Sequence, residues 1–263
     1  MVPVLFITFI ICLFIGVPVA FSLGFSALAY FLGANMPIAT FSQRFFAGID
    51  SFTLLCIPGF TLAGNLMNQG GISDKLMDFC DKLVGHLTGG MAYANIMASM
   101  IFAGISGMAL GGIEIPMMVD LGYDKSFSVA VTAASSCMGP IIPPSLPMIM
   151  AATMTGLSVS KMFMAGIVPG ILMGGGMALV SYVISKRRKY PKREHMSSVR
   201  EILKSGREAI WAIIMTLIIL FGIIGGMVTP TEASIICIVY GTFVGFVIYR
   251  KLTLKSFYQC LQQ

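Results

Sequence analysis

The chain has 263 residues, of which 57% are hydrophobic and 11% charged, with a net charge of +6. A soluble globular chain carries about a quarter charged residues, so this composition excludes an ordinary soluble domain and makes lipid the expected solvent. Nine of the 17 basic residues fall between Lys186 and Arg207. Flanked by apolar runs, they fit a cytoplasmic loop under the positive-inside rule rather than a nucleic-acid surface.

The first charge is Arg44, which leaves 43 uncharged residues before it. That is too long for a signal-peptide core and lacks a basic leader, so it reads as mature membrane sequence. Residues 2–34 form a continuous apolar run interrupted at Gly16-Val17-Pro18 and at Gly24. At about 20 residues per span they make one kinked helix or two short ones, and the side of the N-terminus stays open. Residues 35–51, with Arg44 and Asp50, are expected to be a loop. Residues 51–67 are a second apolar block with an expected kink at Pro58-Gly59.

Residues 72–87 place Leu76, Phe79, Cys80, Leu83, Val84 and Leu87 on one face and Asp74, Lys75, Asp78, Asp81 and Lys82 opposite. This spacing predicts an amphipathic helix in the interface or against other helices, with Ser73 as its N-cap and His86 exposed near its end. Residues 91–113 carry no charge until Glu114 and are long enough to cross a bilayer. Their central glycines (104, 107, 111 and 112, around Ser106) allow two readings. One is a re-entrant helical hairpin; the other is a straight span whose Gly107-x-x-x-Gly111 permits close helix packing.

Gly122-Tyr123-Asp124-Lys125 is expected to turn the chain into a broken span over residues 126–158. Its centre, Gly139-Pro140-Ile141-Ile142-Pro143-Pro144-Ser145, cannot continue a helix, because proline lacks the amide donor and clashes with the preceding turn. At membrane depth such a backbone survives only inside protein or along a wet cavity. Two half-helices meeting there offer carbonyls to a cation and a helix N-terminus to an anion. This break is the strongest pointer to transport.

Residues 161–184 are a clear span, with Gly166, Gly170 and Gly174 on one stripe suited to close packing. The basic loop 186–207 follows, then Trp211 as an interfacial anchor. Residues 209–227 and 233–249 form an antiparallel pair joined by Val228-Thr229-Pro230-Thr231-Glu232. Thr229 is the expected N-cap and Glu232 folds back onto its amide, so capping accounts for this acid without an ion role. The pair returns Arg250, Lys251 and Lys255 to the side of the basic loop. The six cysteines are scattered and read as apolar core, and the 21 methionines as adaptable packing.

Taken in order, Phe102-Ala103-Gly104-Ile105-Ser106-Gly107, Ile113-Glu114-Ile115-Pro116-Met117-Met118, Gly122-Tyr123-Asp124, the Gly139–Ser145 motif, Ala165-Gly166-Ile167-Val168-Pro169-Gly170 and Thr229-Pro230-Thr231-Glu232-Ala233 form one pattern. The chain resembles, along its whole length, the large membrane (permease) subunit of tripartite ATP-independent periplasmic (TRAP) transporters. The resemblance implies an all-α polytopic bundle with a re-entrant hairpin and a proline-broken transmembrane helix, roughly the first half of an inverted-repeat transporter. Its parts would be N-terminal helices (1–88), a transport element (89–158) and later spans with the basic loop (159–263).

The resemblance further implies sodium-coupled uptake of organic acids, such as C4-dicarboxylates or sialic acid, across the bacterial inner membrane. A periplasmic binding protein would deliver the organic anion and a small membrane subunit would pack alongside. No cofactor beyond Na+ as coupling ion is expected, nor any nucleic acid, and the lack of a phosphate-loop motif agrees with an ATP-independent mechanism. Carried over by position, Ser106, Gly107, Gly139 and Ser145 are the Na+ candidates. Pro140 joins them at the ion or substrate site, and Pro143 and Pro144 fix the break. Glu114 is a further candidate, because an acid inside an apolar stretch is functional by default unless it reaches the interface. The pattern also departs from the family: the hairpin tip after Gly107 is short, and the chain ends at Gln263 before a second repeat. These departures imply a truncated family member, inactive as this fragment. A channel would also use carbonyls at an irregular membrane segment. An intramembrane enzyme is disfavoured, since no His-Glu-x-x-His, paired aspartates or Ser/His pair lies at depth.

Overall fold

The computed structural model describes residues 2–106, 111–191 and 197–262, which are helical with no strand among them. The chain divides into two compact units, Met1–Ser51 and Phe52–Gln263.

In the first unit the long apolar run is two helices, α1 (Val2–Phe14) and α2 (Val19–Gly33), packed against each other. Gly16 takes φ +88°, a left-handed conformation open to glycine, and Pro18 precedes α2. The expected loop at 35–51 is instead a helix, α3 (Ile38–Ile49). Pro37 stands just before it, and Ile38, Phe41, Phe45 and Ile49 recur at helical spacing on one apolar stripe. Two charges in a short segment suggested a loop, whereas the periodicity decides for an amphipathic helix. Phe41 packs edge-on against Phe31 of α2, with ring centroids 5.6 Å apart.

The second unit opens with a 3₁₀ turn (Phe52–Leu55) and α4 (Cys56–Gln69). Pro58 lies in the first turn of α4, where no intrahelical donor is lost, so it starts a helix rather than kinking one. Gly59 is there for proximity: a Cβ would stand 2.4 Å from Ser234 Oγ on the helix that packs along α4. The amphipathic helix α5 (Ile72–Val84) forms as expected and buries Ile72, Leu76, Met77 and Cys80. Its N-cap is Gly71 at φ +75°, not Ser73, which is buried inside the first turn.

Next come α6 (Gly90–Ser106), α7 (Gly111–Asp120), α8 (Lys125–Ser136) and α9 (Leu146–Thr155). Three helices are long and apolar enough to cross a membrane among the described residues. They are α10 (Val159–Arg188), α11 (Val199–Ile224) and α12 (Pro230–Phe243) with its π-helical extension Val244–Ile248. The basic loop is shorter than expected. Lys186, Arg187 and Arg188 belong to the last turn of α10, and α11 already begins at Val199 behind a Ser198–Glu201 capping box. Trp211 accordingly sits halfway along α11, half-buried. The Thr229–Glu232 capping box forms as expected: Glu232 Oε2 accepts from the Thr229 amide at 2.7 Å. A short helix, α13 (Leu254–Gln262), ends the described chain.

Charge collects at one end of this unit. Lys75 on α5 pairs with Glu208 on α11 at 2.6 Å, and Lys251 pairs with Asp74 at 2.8 Å. The Tyr249 hydroxyl donates to the Glu208 carbonyl. Asp124 accepts from Arg188 and from the Tyr190 hydroxyl, each at 2.7 Å. These bonds, that from Tyr190 first, hold its carboxyl below the usual carboxylate range. The opposite end joins Thr231 to the Phe52 carbonyl (2.8 Å) and Ser160 to the Ile224 carbonyl (3.1 Å). The basic segment and the tail from Arg250 therefore share an end, as charge placement predicts. The exposed ion pairs contribute at most about 1 kcal/mol each.

The glycine stripe of α10 lets neighbouring segments approach its backbone closely. A Cβ on Gly166 would lie 2.3 Å from the Ile141 carbonyl, one on Gly170 2.3 Å from Ile142 Cγ1, and one on Gly174 2.5 Å from Met100 Sδ. Gly175 faces open space. Gly166→Ala should therefore destabilise the chain by about 1–3 kcal/mol through overpacking. Gly175→Ala should be neutral or stabilising by up to about 1 kcal/mol. Denaturant midpoints of the two variants in detergent micelles provide the comparison.

Candidate functional site

The site is built on the interrupted pair α8 and α9. After Ser136 the chain turns through Cys137 and Met138, and the amides of Ile141 and Ile142 both donate to the Met138 carbonyl. Pro140, Pro143 and Pro144 have no amide to offer. Ser145 restarts the helix from an extended backbone: its Oγ accepts from the Met148 amide at 3.3 Å and donates to the Pro140 carbonyl at 2.8 Å. Gly139, Pro143, Pro144 and Ser145 are buried, while Pro140 is exposed. The carbonyls of Gly139, Ile141 and Ile142 accept no hydrogen bond among the described residues. The break thus holds unsatisfied acceptors inside an apolar chain, with the N-terminus of α9 aimed at the same segment.

The two readings left open for residues 91–113 resolve in favour of a hairpin. The Met91 amide, at the start of α6, donates to the Tyr123 hydroxyl beyond the end of α7 at 3.3 Å. Asn95 Nδ2 of α6 lies 3.8 Å from Met118 Sδ of α7. The segment therefore returns to where it began. The same Tyr123 hydroxyl donates to the Pro191 carbonyl at 3.3 Å, tying the hairpin base to the basic segment. Its ring packs on Tyr190, with centroids 4.8 Å apart.

Of the hairpin-tip candidates, Ser106 ends α6. Its side chain and the whole of Gly107 lie outside the described residues. Gly139 and Ser145 come together in the break, with Pro143 and Pro144 beside them. Glu114 belongs elsewhere, on the first turn of α7.

A polar cluster that sequence reading missed joins hairpin and broken helix. Asn95 Nδ2 donates to Thr132 Oγ1 at 2.8 Å, Ser135 Oγ donates to Asn95 Oδ1 at 2.8 Å, and Ser99 Oγ donates to Ser135 Oγ at 3.1 Å. All four residues are buried. Buried polar side chains must be paired, so these bonds fix the register of α6 on α8, one turn below the break. Asn95 and Ser99 are four apart, and Thr132 and Ser135 three apart, in uncharged helices. That spacing is the signal that would have found them.

Residues 6–263 match the family described as the tripartite ATP-independent periplasmic transporter, DctM component. The chain is 41% identical over 261 residues to a sialic acid TRAP transporter large permease protein of Vibrio cholerae, covering 95% of this chain and 60% of that one. It is 41% identical over 266 residues to an isethionate TRAP transporter permease protein of Oleidesulfovibrio alaskensis, covering 98% of this chain and 42% of that one. A C4-dicarboxylate TRAP transporter large permease protein of Rhodobacter capsulatus is 34% identical over 262 residues, covering 92% and 59%. The chain spans about three-fifths of the length of the large permease relatives it matches.

Two outcomes follow from this geometry. Single cysteines placed at Gly89 and Asp120, in a chain without native cysteines, should react with an impermeant reagent from the same side of the membrane. Reaction from opposite sides would require a straight span. Ser145→Ala removes both the cap and the bond to Pro140, and should cost about 0.5–2 kcal/mol in denaturant unfolding.

Proposed function

Because this chain belongs to the DctM-component family of tripartite ATP-independent periplasmic transporters, we propose that it forms the transport core of a sodium-coupled importer of organic acids. The observation that carries this reading is the break at 139–145, where the Gly139, Ile141 and Ile142 carbonyls accept no hydrogen bond among the described residues. Hard cations take oxygen ligands, and unwound backbone in transporters supplies them. The ion-binding set is Ser106, Gly107, Gly139 and Ser145, with Pro140 beside them and Pro143 and Pro144 holding the backbone out of a helix. The donors of the break fit sodium. The Gly139 carbonyl is uncommitted, and Ser145 Oγ, already accepting from Met148, keeps one lone pair.

The substrate is a small organic anion. The relatives are named for sialic acid, isethionate and C4-dicarboxylates, all of which carry an acid group that a helix N-terminus favours. The α9 N-terminus at Ser145 is the anion-facing element of this half. The partners are a periplasmic binding protein and a small membrane subunit, in the bacterial inner membrane, with the basic segment 186–207 in the cytoplasm. α6 and the broken helix, joined by Asn95, Thr132 and Ser135, act as one body carrying the ion site.

The test has two parts. In proteoliposomes, the chain joined to the C-terminal two-fifths of the Vibrio relative, with that system's binding protein and small subunit, should take up a sialic acid only under an inward sodium gradient. Uptake indifferent to sodium would overturn the coupling. In the chain alone, sodium at about 100 times its dissociation constant should stabilise by about 2.7 kcal/mol relative to potassium at equal ionic strength. Ser145→Ala should diminish that difference.

A further inference from the structure

Glu114 stands apart from every other acid among the described residues. It is fully buried, and neither carboxyl oxygen has a hydrogen-bond partner among the described residues. The residues of this chain alone enclose it, so its isolation does not depend on a partner or a longer polypeptide.

Among the described residues no cation is placed to compensate it. α7 itself carries only Asp120 besides, at its far end, and α6 carries Tyr93 and no charged residue. On α8 the only charge is Lys125, the first residue. The lysines of α5 are committed, Lys75 to Glu208 and Lys82 to Asp78. The buried Cys80 thiol of α5 lies within electrostatic reach of Glu114, and the acids Asp74, Asp78 and Asp81 share that helix. The connecting residues 107–110 are Gly-Met-Ala-Leu and add no charge. The start of α7 favours an anion, but a helix end offsets far less than the loss of water costs an unpaired carboxylate. The capping acids Glu201 and Glu232 make the contrast, since each is held by the amide it caps.

We propose that Glu114 is a proton-binding site of the hairpin: its carboxyl holds a proton while α7 is packed and releases it to water when α7 leaves that position. The balance is one proton per hairpin. On unpacking, the O–H bond breaks, the proton passes to solvent and the carboxylate is hydrated. On repacking, a proton is taken up. The sign follows from the neutral form being the packed one, so rising pH favours the released hairpin and falling pH the packed one. This inference is independent of the sodium site and of the substrate, since it rests on α7 and its immediate neighbours.

The test uses the chain reconstituted in lipid vesicles with isotope-labelled glutamate. At neutral pH the infrared spectrum should contain the carbonyl stretch of one protonated glutamic acid, lost as pH is raised and absent in Glu114→Gln. With the other five cysteines replaced, alkylation of Cys80 should rise with pH at least ten-fold more in the unsubstituted chain than in Glu114→Gln, where only the thiol titrates. A spectrum showing every glutamate ionised at neutral pH would overturn the proposal without reference to any variant. Equal pH dependence of Cys80 labelling in the two chains would overturn the link to hairpin movement.

Discussion

A backbone carbonyl placed in hydrocarbon without a donor is the constraint around which this protein is arranged. A helix satisfies its own carbonyls, and a membrane chain is helical for that reason. Between Cys137 and Ser145 three prolines and a glycine abolish that solution. Everything near the break either encloses it or limits the damage. Ser145 satisfies Pro140 and restarts the helix, Met138 accepts two amides, and α10 brings a side-chain-free face against Ile141 and Ile142. The stripe Gly166, Gly170 and Gly174 is thus the counterpart of the prolines: one removes hydrogen bonds, the other admits the irregular chain into the protein interior.

The same economy governs the hairpin. α6 makes no ion pair, and what holds it to α8 is an amide and three hydroxyls from Asn95, Ser99, Thr132 and Ser135. Between membrane helices such bonds average about 0.6 kcal/mol, a modest stabilisation. Their larger effect is to exclude other registers, since any slip strands several polar atoms where no water can reach them.

Features written in local chemistry were legible in the sequence. Thr229-Pro230-Thr231-Glu232 gave its capping box away by spacing alone, the prolines marked the break, and the amphipathic pattern marked α5. Features decided by tertiary neighbours were not. Ser73 has the chemistry of a cap, but the left-handed Gly71 already opens α5. Pro58-Gly59 looked like a kink because the approach of Ser234 is invisible in sequence. Residues 35–51 looked like a loop because two charges drew attention from the stripe Ile38, Phe41, Phe45 and Ile49. At the candidate site the break could be read residue by residue. The pairing of Asn95 with Thr132 and Ser135 joins residues about 40 apart, which no local pattern brings together.

The return of the hairpin to its own starting end has a topological consequence. A segment that enters and leaves by one face adds an even number of passages, namely none, to the count of membrane crossings. Parity downstream of Tyr123 is therefore independent of how deep the segment reaches or how many residues its apex holds. Lengthening, shortening or reshaping the apex leaves the sidedness of α10, α11 and α12 untouched. The connection between α6 and α7 can therefore change length without altering the orientation of the rest of the molecule.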